Sequence, residues 1–496
     1  MKKVVIIGGG IAGLSAGIFC LKNGYDVALY EKNAAVGGEC TGWNRQGYHI
    51  DNCIHWLTGC NPEDDLYQVW REIGALDDDT ALYREPYFYA MKAGDLTLHF
   101  WSDIERVRRE FLAAAPEDET ELNRFFDSVK MAESVRVPCE KSLADMNFME
   151  YMKFGMRMAE MGRVIKEYGK DTVGDLADRF QNSFVREMMK GYFNESYKAT
   201  ALISSYAFYT GGSAAIPAGG SVGMVMRIEK RFRKLGGKIC TNASAVKINT
   251  DKNRAVSVSF ADGSEAECDF VICAADPAVT FGGLLDQSYM DRNLRKMYED
   301  KSGYQVSSTF HVSLGIVGEE DCGIESGSTV YPCGSYTVGT HTFDFIAVRM
   351  YDYDETLFPK SRRVIQCNFL QDAADYEYWT ALYDDKKRYR AEKQRIAETV
   401  TARITGLFPE LAGRLILLDT YSPVTFTAWC GAYNGAYMSF YEQKGHKSLT
   451  AKNSVRGLKN VVLASQWLST NGGLPIAATS GKFAAAHIAL ADRGHI

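Results

Sequence analysis

The sequence lacks long apolar runs, clustered cysteines and an excess of basic residues. No stretch approaches the roughly 20 consecutive apolar residues that a membrane-spanning helix requires, so we expect none. Twelve cysteines are scattered from Cys20 to Cys430 without a Cys-x-x-Cys pair, which predicts neither a metal site nor a disulfide framework. The formal net charge of -6 argues against a nucleic-acid partner, because binding to phosphates usually requires a basic face.

The amino-terminal segment does not have the features of a secretion signal. Lys2 and Lys3 precede an apolar run, but glycines interrupt that run and no small-residue cleavage site follows it. Together with the scattered cysteines, this predicts a cytoplasmic protein with reduced thiols. With 496 residues, the chain is too long for one hydrophobic core, so we expect two domains or more.

A glycine-rich turn near the start carries the first functional signal. The β-branched run at residues 4–7 is typical of a parallel strand buried on both faces, and it leads into a G-x-G-x-x-G motif at Gly8, Gly10 and Gly13. In this motif the first glycine permits the turn, the second leaves room for a pyrophosphate and the third lets a helix pack closely. The helix that follows would direct its N-terminus at an anion.

The next strand ends in an acid that completes this signal. Residues 26–30 predict a second strand, which is followed directly by Glu31. A carboxylate there accepts hydrogen bonds from both ribose hydroxyls of an adenosine and repels a 2′-phosphate. A strand, motif, helix, strand and acid within about 30 residues together predict a dinucleotide site.

The segment after Glu31 resembles a known superfamily. A short loop leads to Gly37 and Gly38, and then come Gly-Tyr-His-Ile-Asp at 47–51 and Cys-Ile-His-Trp at 53–56. This pattern resembles the flavin-dependent amine oxidase and phytoene desaturase superfamily, and looks closest to its carotenoid desaturase-isomerase and retinol saturase branch. The resemblance implies that FAD is the cofactor. One position departs from the family, since Glu39 stands where many members carry arginine or lysine.

Two later segments carry the same resemblance. Residues 216–276 include a strand that runs into Ala274, and residues 457–490 combine a strand, a Gly-Gly loop and a helix. In the family these segments return to the cofactor, and the resemblance implies backbone contacts to the adenine near Ala245 and Val246. The motif and the resemblance together give these expected FAD-binding residues: Gly8, Gly10, Ile11, Ala12, Gly13, Glu31, Lys32, Gly37, Gly38, Glu39, Ala245, Val246, Ala274, Ser465, Gly473, Leu474 and Ile476.

The resemblance also implies the fold class. We expect an α/β protein in which a split Rossmann-like FAD-binding domain (GR2-type) is joined to a mixed α+β substrate domain built from two insertions. Periodicity predicts helices in the first insertion, such as 107–115 and 119–136, and alternating β-branched runs predict an antiparallel sheet in the second. The expected boundaries are 1–60, 206–290 and 426–496 for the FAD-binding domain, 61–205 for the helical insertion and 291–425 for the sheet insertion.

Candidates for catalysis come from three positions. His55 follows the strand expected beside the flavin and Asp51 precedes it by four residues, so His55 is our first candidate for proton transfer. A structural histidine bonded to a backbone carbonyl is the alternative. Tyr433 and Tyr437 lie where the family's chain re-enters the flavin domain and are candidates for facing the substrate, with aromatic packing as the alternative. His311 lies in an alternating strand and is expected to be packing or surface.

The expected activity follows from the branch. By resemblance we expect an FAD-dependent oxidoreductase that acts on carbon–carbon bonds, by desaturation, saturation or isomerisation, of a lipophilic polyene, carotenoid, retinoid or unsaturated fatty acid. Two alternatives stay open, a flavin amine oxidase and an FAD-containing binding or scaffolding protein without redox turnover. No second G-x-G-x-x-G follows a strand, so no dedicated NAD(P)H domain is expected. The electron acceptor or donor is left as oxygen, a quinone or NAD(P)H.

A methionine-rich stretch raises the question of a membrane surface. Six methionines between Met146 and Met161 interleave with basic residues. Such a helix is able to gate a lipophilic tunnel or to make a peripheral membrane contact. The alternative is that these methionines fill a core gap between helices, which is a common role of methionine.

Overall fold

The first layer of the fold is a five-stranded parallel sheet. The computed structural model describes residues 1–494, and three separate parts of the chain supply this sheet. Val4 lies opposite Val27 on one side and opposite Phe270 on the other, so its strand is central and buried on both faces. In spatial order the strands are Val461–Leu463, Phe270–Cys273, Lys3–Ile7, Asp26–Tyr30 and Lys238–Cys240.

Helices cover one face of this sheet and a small antiparallel sheet covers the other. The first and last helices approach each other closely at Gly481. A Cβ added there would lie 2.5 Å from the Ala12 carbonyl oxygen, so only glycine fits. The helices on the first face are Ile11–Lys22, Asp65–Ile73, Gly220–Lys234 and Leu474–Asp492. The strands on the second face are Ala245–Asp251, Arg254–Phe260 and Glu265–Glu267.

A seven-stranded mixed sheet forms the second layer. Its strands, in spatial order, are Leu415–Tyr421, Ser308–Ile316, Val364–Gln371, His341–Tyr351, Gly327–Val338, Tyr87–Ala93 and Leu96–Trp101. Phe310 and Val312 pack into a core with helices Ala373–Asp384 and Lys386–Leu407. His311 between them faces the opposite side, because successive side chains of a strand alternate. One face of the sheet is therefore core, and the other is free to line a site.

The first insertion combines helices with one hairpin. Strands Tyr87–Ala93 and Leu96–Trp101 pair with each other, and the former also pairs in parallel with Gly327–Val338. Sequence periodicity predicts the helices but not this hairpin. The hairpin joins the large sheet through Gly327–Val338, which is distant in the chain. Besides Asp65–Ile73, which packs against the parallel-sheet unit, the helices of the insertion are Ile104–Ala114, Glu119–Ala132, Phe148–Arg157, Ala159–Tyr168, Val173–Ala177, Ser183–Lys190 and Ala199–Thr210.

Short pairings and helices complete the fold. The paired strands are Gly42–Arg45 with Tyr48–Asp51, Leu82–Tyr83 with Ile216–Pro217, and Tyr304–Gln305 with Tyr441–Glu442. The remaining helices are Pro277–Val279, Arg292–Glu299 and Pro423–Cys430. Within residues 1–494, no helix combines the length and the apolarity that crossing a bilayer requires. The predicted fold class is confirmed, since a split parallel-sheet unit is joined to a mixed α+β unit.

The methionine-rich stretch forms two surface helices, Phe148–Arg157 and Ala159–Tyr168. In the first helix no residue is buried, and Met149 is 74% and Met156 68% exposed. The core-filling alternative is therefore wrong for this helix, whereas Met161 in the second helix is buried. The first helix presents contiguous apolar side chains to solvent, which globular proteins rarely maintain without a partner.

Candidate active site and cofactor cradle

One large cavity is lined by residues of both sheets. Its volume is about 1240 Å³, which exceeds the roughly 300–1,000 Å³ of a typical ligand pocket. It therefore has room for a dinucleotide and a second molecule. Glycine-rich loops of the parallel sheet line one end, which we call the cofactor end. The seven-stranded sheet and helices of the first insertion line the remainder.

The glycine-rich turn closes the cofactor end. Gly8 has a φ of +106°, and a Cβ there would lie 2.9 Å from the Ala274 carbonyl oxygen. Gly13 packs so closely that a Cβ would lie 2.0 Å from the Gly8 carbonyl oxygen. At Gly10, by contrast, an added Cβ would meet nothing within 4 Å. The three positions thus differ as the motif requires, in turn conformation, close packing and open space.

Two helix N-termini point into this end of the cavity. Helix Ile11–Lys22 begins after Gly10 and helix Leu474–Asp492 begins after Gly473, and both glycines line the cavity. The N–H groups of a first helical turn carry partial positive charge and have no partners within the helix. Because glycine has no side chain to satisfy them, the two termini together form a site for an anion such as a pyrophosphate.

Glu31 lies beside this anion site as a buried carboxylate. It is 5% exposed and lines the cavity. One oxygen accepts a hydrogen bond from the Gly9 N–H at 2.7 Å, and the other accepts one from the Asn33 N–H at 2.9 Å. Each oxygen retains a lone pair, so the carboxylate can hold the turn and still accept from ribose hydroxyls. With the open space at Gly10 and the two helix N-termini, it fits the FAD that the resemblance implies.

Glu39, the departure from the family pattern, is connected to the second helix N-terminus. Gln466 donates from Nε2 to Glu39 Oε2 at 3.0 Å, and its Oε1 accepts from the Gly473 N–H at 2.8 Å. Burial and the nearby charge of Asp276 raise the pKa of Glu39 to about 8. Burial also raises the pKa of Asp276, to about 6. Glu39 therefore holds a proton at neutral pH and is uncharged beside a site for an anion.

Most other predicted cofactor residues line the same cavity. Two are not part of the cavity wall, namely Gly13, which packs against the Gly8 carbonyl oxygen, and Val246, whose side chain is 47% exposed. Asp276 and Gln466 also line the wall, and sequence reasoning did not single them out because their contacts join distant parts of the chain. The predicted residues that line the cavity, besides those above, are Ile11, Ala12, Lys32, Gly37, Gly38, Ala245, Ala274, Ser465, Leu474 and Ile476.

His55 lies on the cavity wall, but its surroundings favour hydrogen bonding over proton transfer. Its Nε2 is 3.3 Å from Asn368 Nδ2, and its carbonyl oxygen accepts from Arg349 at 2.9 Å. Burial, assisted by the positive charge of Arg349, lowers the pKa of His55 to about 3, so the imidazole is neutral and weakly basic at pH 7. Asp51 bonds elsewhere, because its carboxylate accepts from the Ser221 N–H at 2.7 Å.

The two candidate tyrosines have different positions. Tyr437 is on the cavity wall, and burial raises the pKa of its hydroxyl. Tyr433 is not among the described residues that line the cavity. Its ring packs 5.0 Å from that of Tyr298 and 5.8 Å from that of Phe440, while its N–H donates to Asp276 at 2.8 Å. These contacts favour the packing alternative for Tyr433, while its contact with the substrate stays a prediction.

The seven-stranded sheet contributes a polar row to the cavity wall, which sequence reasoning missed. His311 packs as expected, with its ring 4.0 Å from that of Tyr421, yet it also lines the cavity. Burial lowers the pKa of His311, so this imidazole is also neutral. Polar and apolar residues alternate at 309–313, and this alternation is the sequence feature that could have indicated the row. The members of the polar row are Thr309, His311, Arg349, Gln366 and Asn368.

A group of aromatic side chains lines the same cavity. Trp56 Nε1 donates to the Tyr192 hydroxyl at 3.3 Å, so the polar tips of these two rings satisfy each other. Such a lining excludes water and suits an unsaturated hydrocarbon chain. The aromatic lining residues include Trp56, Tyr89, Tyr192, Phe193, Phe208 and Phe345, and we call the part of the cavity that they line the aromatic chamber.

A histidine and two aspartates form one group with metal-ligand spacing in the described part of the chain, namely His341, Asp372 and Asp375. Asp375 already accepts from the Thr340 N–H at 2.7 Å and from the Asp372 N–H at 3.0 Å. Asp372 in turn caps helix Ala373–Asp384. These bonds explain both carboxylates as capping groups, so we assign no metal there.

Sequence comparison relates the chain to carotenoid enzymes. The profile of the family described as flavin containing amine oxidoreductase matches residues 11–489. Phytoene desaturase (lycopene-forming) from Paracoccus sp. is 24% identical over 323 residues, which is 63% of this chain and 62% of that protein. Prolycopene isomerase 2, chloroplastic, from an Oncidium hybrid cultivar is 21% identical over 468 residues, or 87% of this chain and 74% of that protein. The match thus spans less than two thirds of the phytoene desaturase.

Comparison with solved structures supports the fold. An oxidoreductase from Methanosarcina mazei superposes with a TM-score of 0.63 at 15% identity, covering 97% of this chain and 99% of that one. A variant of putrescine oxidase superposes with a TM-score of 0.62 at 14% identity, covering 98% of each chain. At such identities the likeness extends to the fold alone.

Proposed function

The chain belongs to the family of flavin-containing amine oxidoreductases, with FAD as cofactor, and we propose that it acts on carbon–carbon bonds of a lipophilic polyene. Desaturation, saturation and isomerisation are the reactions in question, and carotenoids, retinoids and unsaturated fatty acids are the substrate classes. The observation that carries this proposal is the continuous cavity, which joins the cofactor end to the aromatic chamber. The names of the phytoene desaturase and the prolycopene isomerase support the same direction.

The cofactor end would hold FAD through backbone groups and one acid. The helix N-termini after Gly10 and Gly473 would face the pyrophosphate, and Glu31 would accept from the ribose. When bound, FAD supplies the two-electron chemistry that amino-acid side chains lack. The loop at Gly37 and Gly38 and the Gly472-Gly473 loop line the wall between this end and the substrate.

The aromatic chamber would hold and orient the substrate. Rings such as Tyr192 and Phe345 remove the chain of a polyene from water, so burial supplies binding energy. Positioning the reacting carbon and excluding water are the main contributions a protein makes to flavin chemistry of this kind. We propose that two wall residues, His55 and Tyr437, contact the substrate.

The amine oxidase alternative has less support from the cavity. A free lysine beside the flavin is typical of amine oxidases. Each lysine of this wall lies within 3.4 Å of a carbonyl or carboxylate oxygen of the chain, so none is free in the described residues. These lysines are Lys32, Lys190 and Lys198.

Anaerobic mixing of the FAD-loaded protein with candidate substrates tests the proposal. The panel contains polyenes, retinoids, unsaturated fatty acids and amines, and the readouts are the flavin absorbance and the products by chromatography. Bleaching by a polyene, or an isomerised or saturated polyene from the reduced protein, supports the proposal. Bleaching by amines alone would establish the amine oxidase. A flavin that chemical reductants reduce but no member of the panel affects would favour the scaffolding alternative. Reoxidation of the reduced protein by oxygen, a quinone or NAD(P)+ then identifies the electron partner.

We also propose that helix Phe148–Arg157 rests on a membrane surface, in a cytoplasmic protein whose free cysteines suit a reducing compartment. Phe148 is 76% exposed, and the exposed Lys153 on the same helix suits an anionic lipid headgroup. The neighbouring helix Ala159–Tyr168 contributes Ile165 to the cavity wall. A membrane-bound substrate would therefore meet the cavity close to this helix.

Flotation with vesicles of anionic phospholipid at low salt tests the membrane contact. The triple variant Met149→Gln, Met152→Gln and Met156→Gln removes the apolar face, whereas Met226→Gln is a matched control because Met226 is 63% exposed on another helix. Wild type and control should float and the triple variant should not. If the wild-type protein stays in the bottom fraction, it does not bind the vesicles, and this result would contradict the proposal.

A further inference from the structure

The polar row crosses three strands of the seven-stranded sheet in register. His311 lies directly opposite Asn368, and Gln366 lies opposite Arg349 on the next strand. Directly opposed residues of neighbouring strands have their side chains on the same face. Thr309 lies two residues before His311 and therefore shares that face. The row is thus one continuous surface, although its members come from distant parts of the chain.

Much of the hydrogen-bonding capacity of this row is unused by the protein. Thr309 Oγ1, His311 Nδ1, Gln366 Oε1 and Asn368 Oδ1 have no hydrogen-bond partner within the described chain. Buried polar atoms nearly always have partners, and these four belong to side chains on the wall of one cavity. A bound hydroxyl could donate to either amide oxygen, and a bound hydroxyl or carbonyl oxygen could accept from the Thr309 hydroxyl or from His311 protonated at Nδ1. A hydrocarbon would leave all four atoms unpaired.

The row carries no net charge. Arg349 Nη2 lies 2.8 Å from Glu85 Oε1, and the two side chains are 7% and 8% exposed. This buried pair neutralises the only full charge of the row. Burial lowers the pKa of both His55 and His311, so the two imidazoles are neutral as well. A neutral oxygen group matches these surroundings, because neither a carboxylate nor an ammonium would find a free counter-charge.

The row lies at the boundary between the cofactor end and the aromatic chamber. Gln366 donates to the Asp51 carbonyl oxygen at 2.8 Å, and Asn52 donates to the Glu39 carbonyl oxygen at 3.3 Å. Asp51 and Asn52 are adjacent in the chain, so these two hydrogen bonds link the row to the cofactor end. On the opposite side, Phe345 and Leu370 continue the same wall with apolar surface.

We propose that the substrate is an oxygenated polyene, whose neutral hydroxyl or carbonyl group binds the polar row while its hydrocarbon chain occupies the aromatic chamber. This inference rests on the proposed function and narrows it, because it excludes pure hydrocarbons and carboxylates as preferred substrates. The oxygen group would lie next to the cofactor end, so the reacting carbon–carbon bond would be near it.

Equilibrium binding to the FAD-loaded protein tests the inference without requiring turnover. Four polyenes of matched length are compared: the hydrocarbon, the alcohol, the aldehyde and the carboxylic acid. Quenching of tryptophan fluorescence reports binding, because Trp56 lies on the cavity wall. The alcohol or the aldehyde should bind at least about tenfold more tightly than the hydrocarbon and the carboxylate. Whichever of the two binds more tightly identifies the group.

Two variants connect that preference to the row. Thr309→Val and Asn368→Leu remove hydrogen-bonding groups while keeping side-chain volume, and should reduce the preference to within about threefold. Leu370→Val trims an apolar wall residue two positions from Asn368 and should weaken all four ligands alike, leaving their ratio unchanged. Flavin occupancy is recorded for each variant, so an effect on FAD is not mistaken for one on the polyene.

The outcomes separate this inference from the proposed function. Equal binding of hydrocarbon and alcohol by wild type overturns the inference but leaves a polyene enzyme. A preference that survives in both Thr309→Val and Asn368→Leu also overturns it, since the row is then not its source. Absence of binding by all four polyenes overturns the inference and the proposed function together.

Discussion

FAD binding should weaken as the pH rises through 8, with Glu39 as the cause. With a pKa of about 8, this carboxyl group is about 10% ionised at pH 7 and about 90% ionised at pH 9. The ionised form places a negative charge beside the anion site at the two helix N-termini, where it opposes the pyrophosphate. If only the protonated form binds FAD well, the apparent Kd rises about tenfold between these pH values.

The same proton affects the stability of the chain without FAD. The pKa of Glu39 is raised from an ordinary value of 4.5 to about 8 in the folded chain, so the folded state binds this proton more tightly. The resulting stabilisation is complete below pH 4.5 and is lost as the pH rises through 8. Between pH 4.5 and 8, each unit of rising pH lowers the free energy of unfolding by at most about 1.4 kcal/mol through this group. Glu39→Gln keeps a neutral side chain that still accepts from Gln466, and should remove both dependences.

Titration of FAD into the apoprotein at pH 7, 8 and 9, followed by flavin fluorescence, measures the first effect. Thermal unfolding of the apoprotein from pH 6 to 8, where the stability effect of Glu39 falls, measures the second. Glu319→Gln, which changes an exposed acid, is the matched control and should follow wild type. A constant Kd in wild type, or an equal slope in Glu39→Gln, would refute the reasoning.

Three further predictions test the geometry of the site. Gly13→Ala places a methyl group where a Cβ would lie 2.0 Å from the Gly8 carbonyl oxygen, so denaturant unfolding should show a loss of about 1–3 kcal/mol, and unchanged stability would contradict the packing. Glu31→Gln weakens charge-assisted hydrogen bonds and should weaken FAD binding by about 1.5–3 kcal/mol by fluorescence titration; a wild-type Kd would contradict the ribose assignment. Tyr437→Phe should change the rate of flavin bleaching by substrate, whereas Tyr433→Phe should leave it unchanged, and equal effects of the two would overturn their separation.

The cofactor end could be predicted because its signals are local. Gly8, Gly10, Gly13 and Glu31 belong to one strand-helix-strand unit, so spacing alone brings them together, and the family profile confirms the superfamily resemblance. For Val246 the resemblance implies a contact through the backbone, and this stays a prediction. Val246 lies beside Ala245 in a strand, and alternation turns only its side chain to solvent.

The substrate side could not be predicted in the same way because its contacts are long-range. His311 meets Asn368 only through the register of two antiparallel strands, which the sequence pattern does not specify. Tyr433 and Tyr437 are both aromatic and only four residues apart, yet one packs against Tyr298 and the other lines the cavity. The conformation of the turn between them decides the difference, since Asn434 adopts a left-handed φ of 49°.

The titration behaviour of the cavity predicts how its chemistry depends on pH. His55 has a pKa of about 3, the pKa of His311 is also lowered and that of Tyr437 is raised, so none of these wall residues changes charge between pH 7 and 9. Catalysis would then depend on positioning and water exclusion rather than on a titrating side chain. In Glu39→Gln, at saturating FAD and substrate, the single-turnover rate of flavin bleaching should therefore be constant from pH 7 to 9. A sigmoid with a midpoint in that range would instead reveal a proton-transfer group that the cavity wall does not account for.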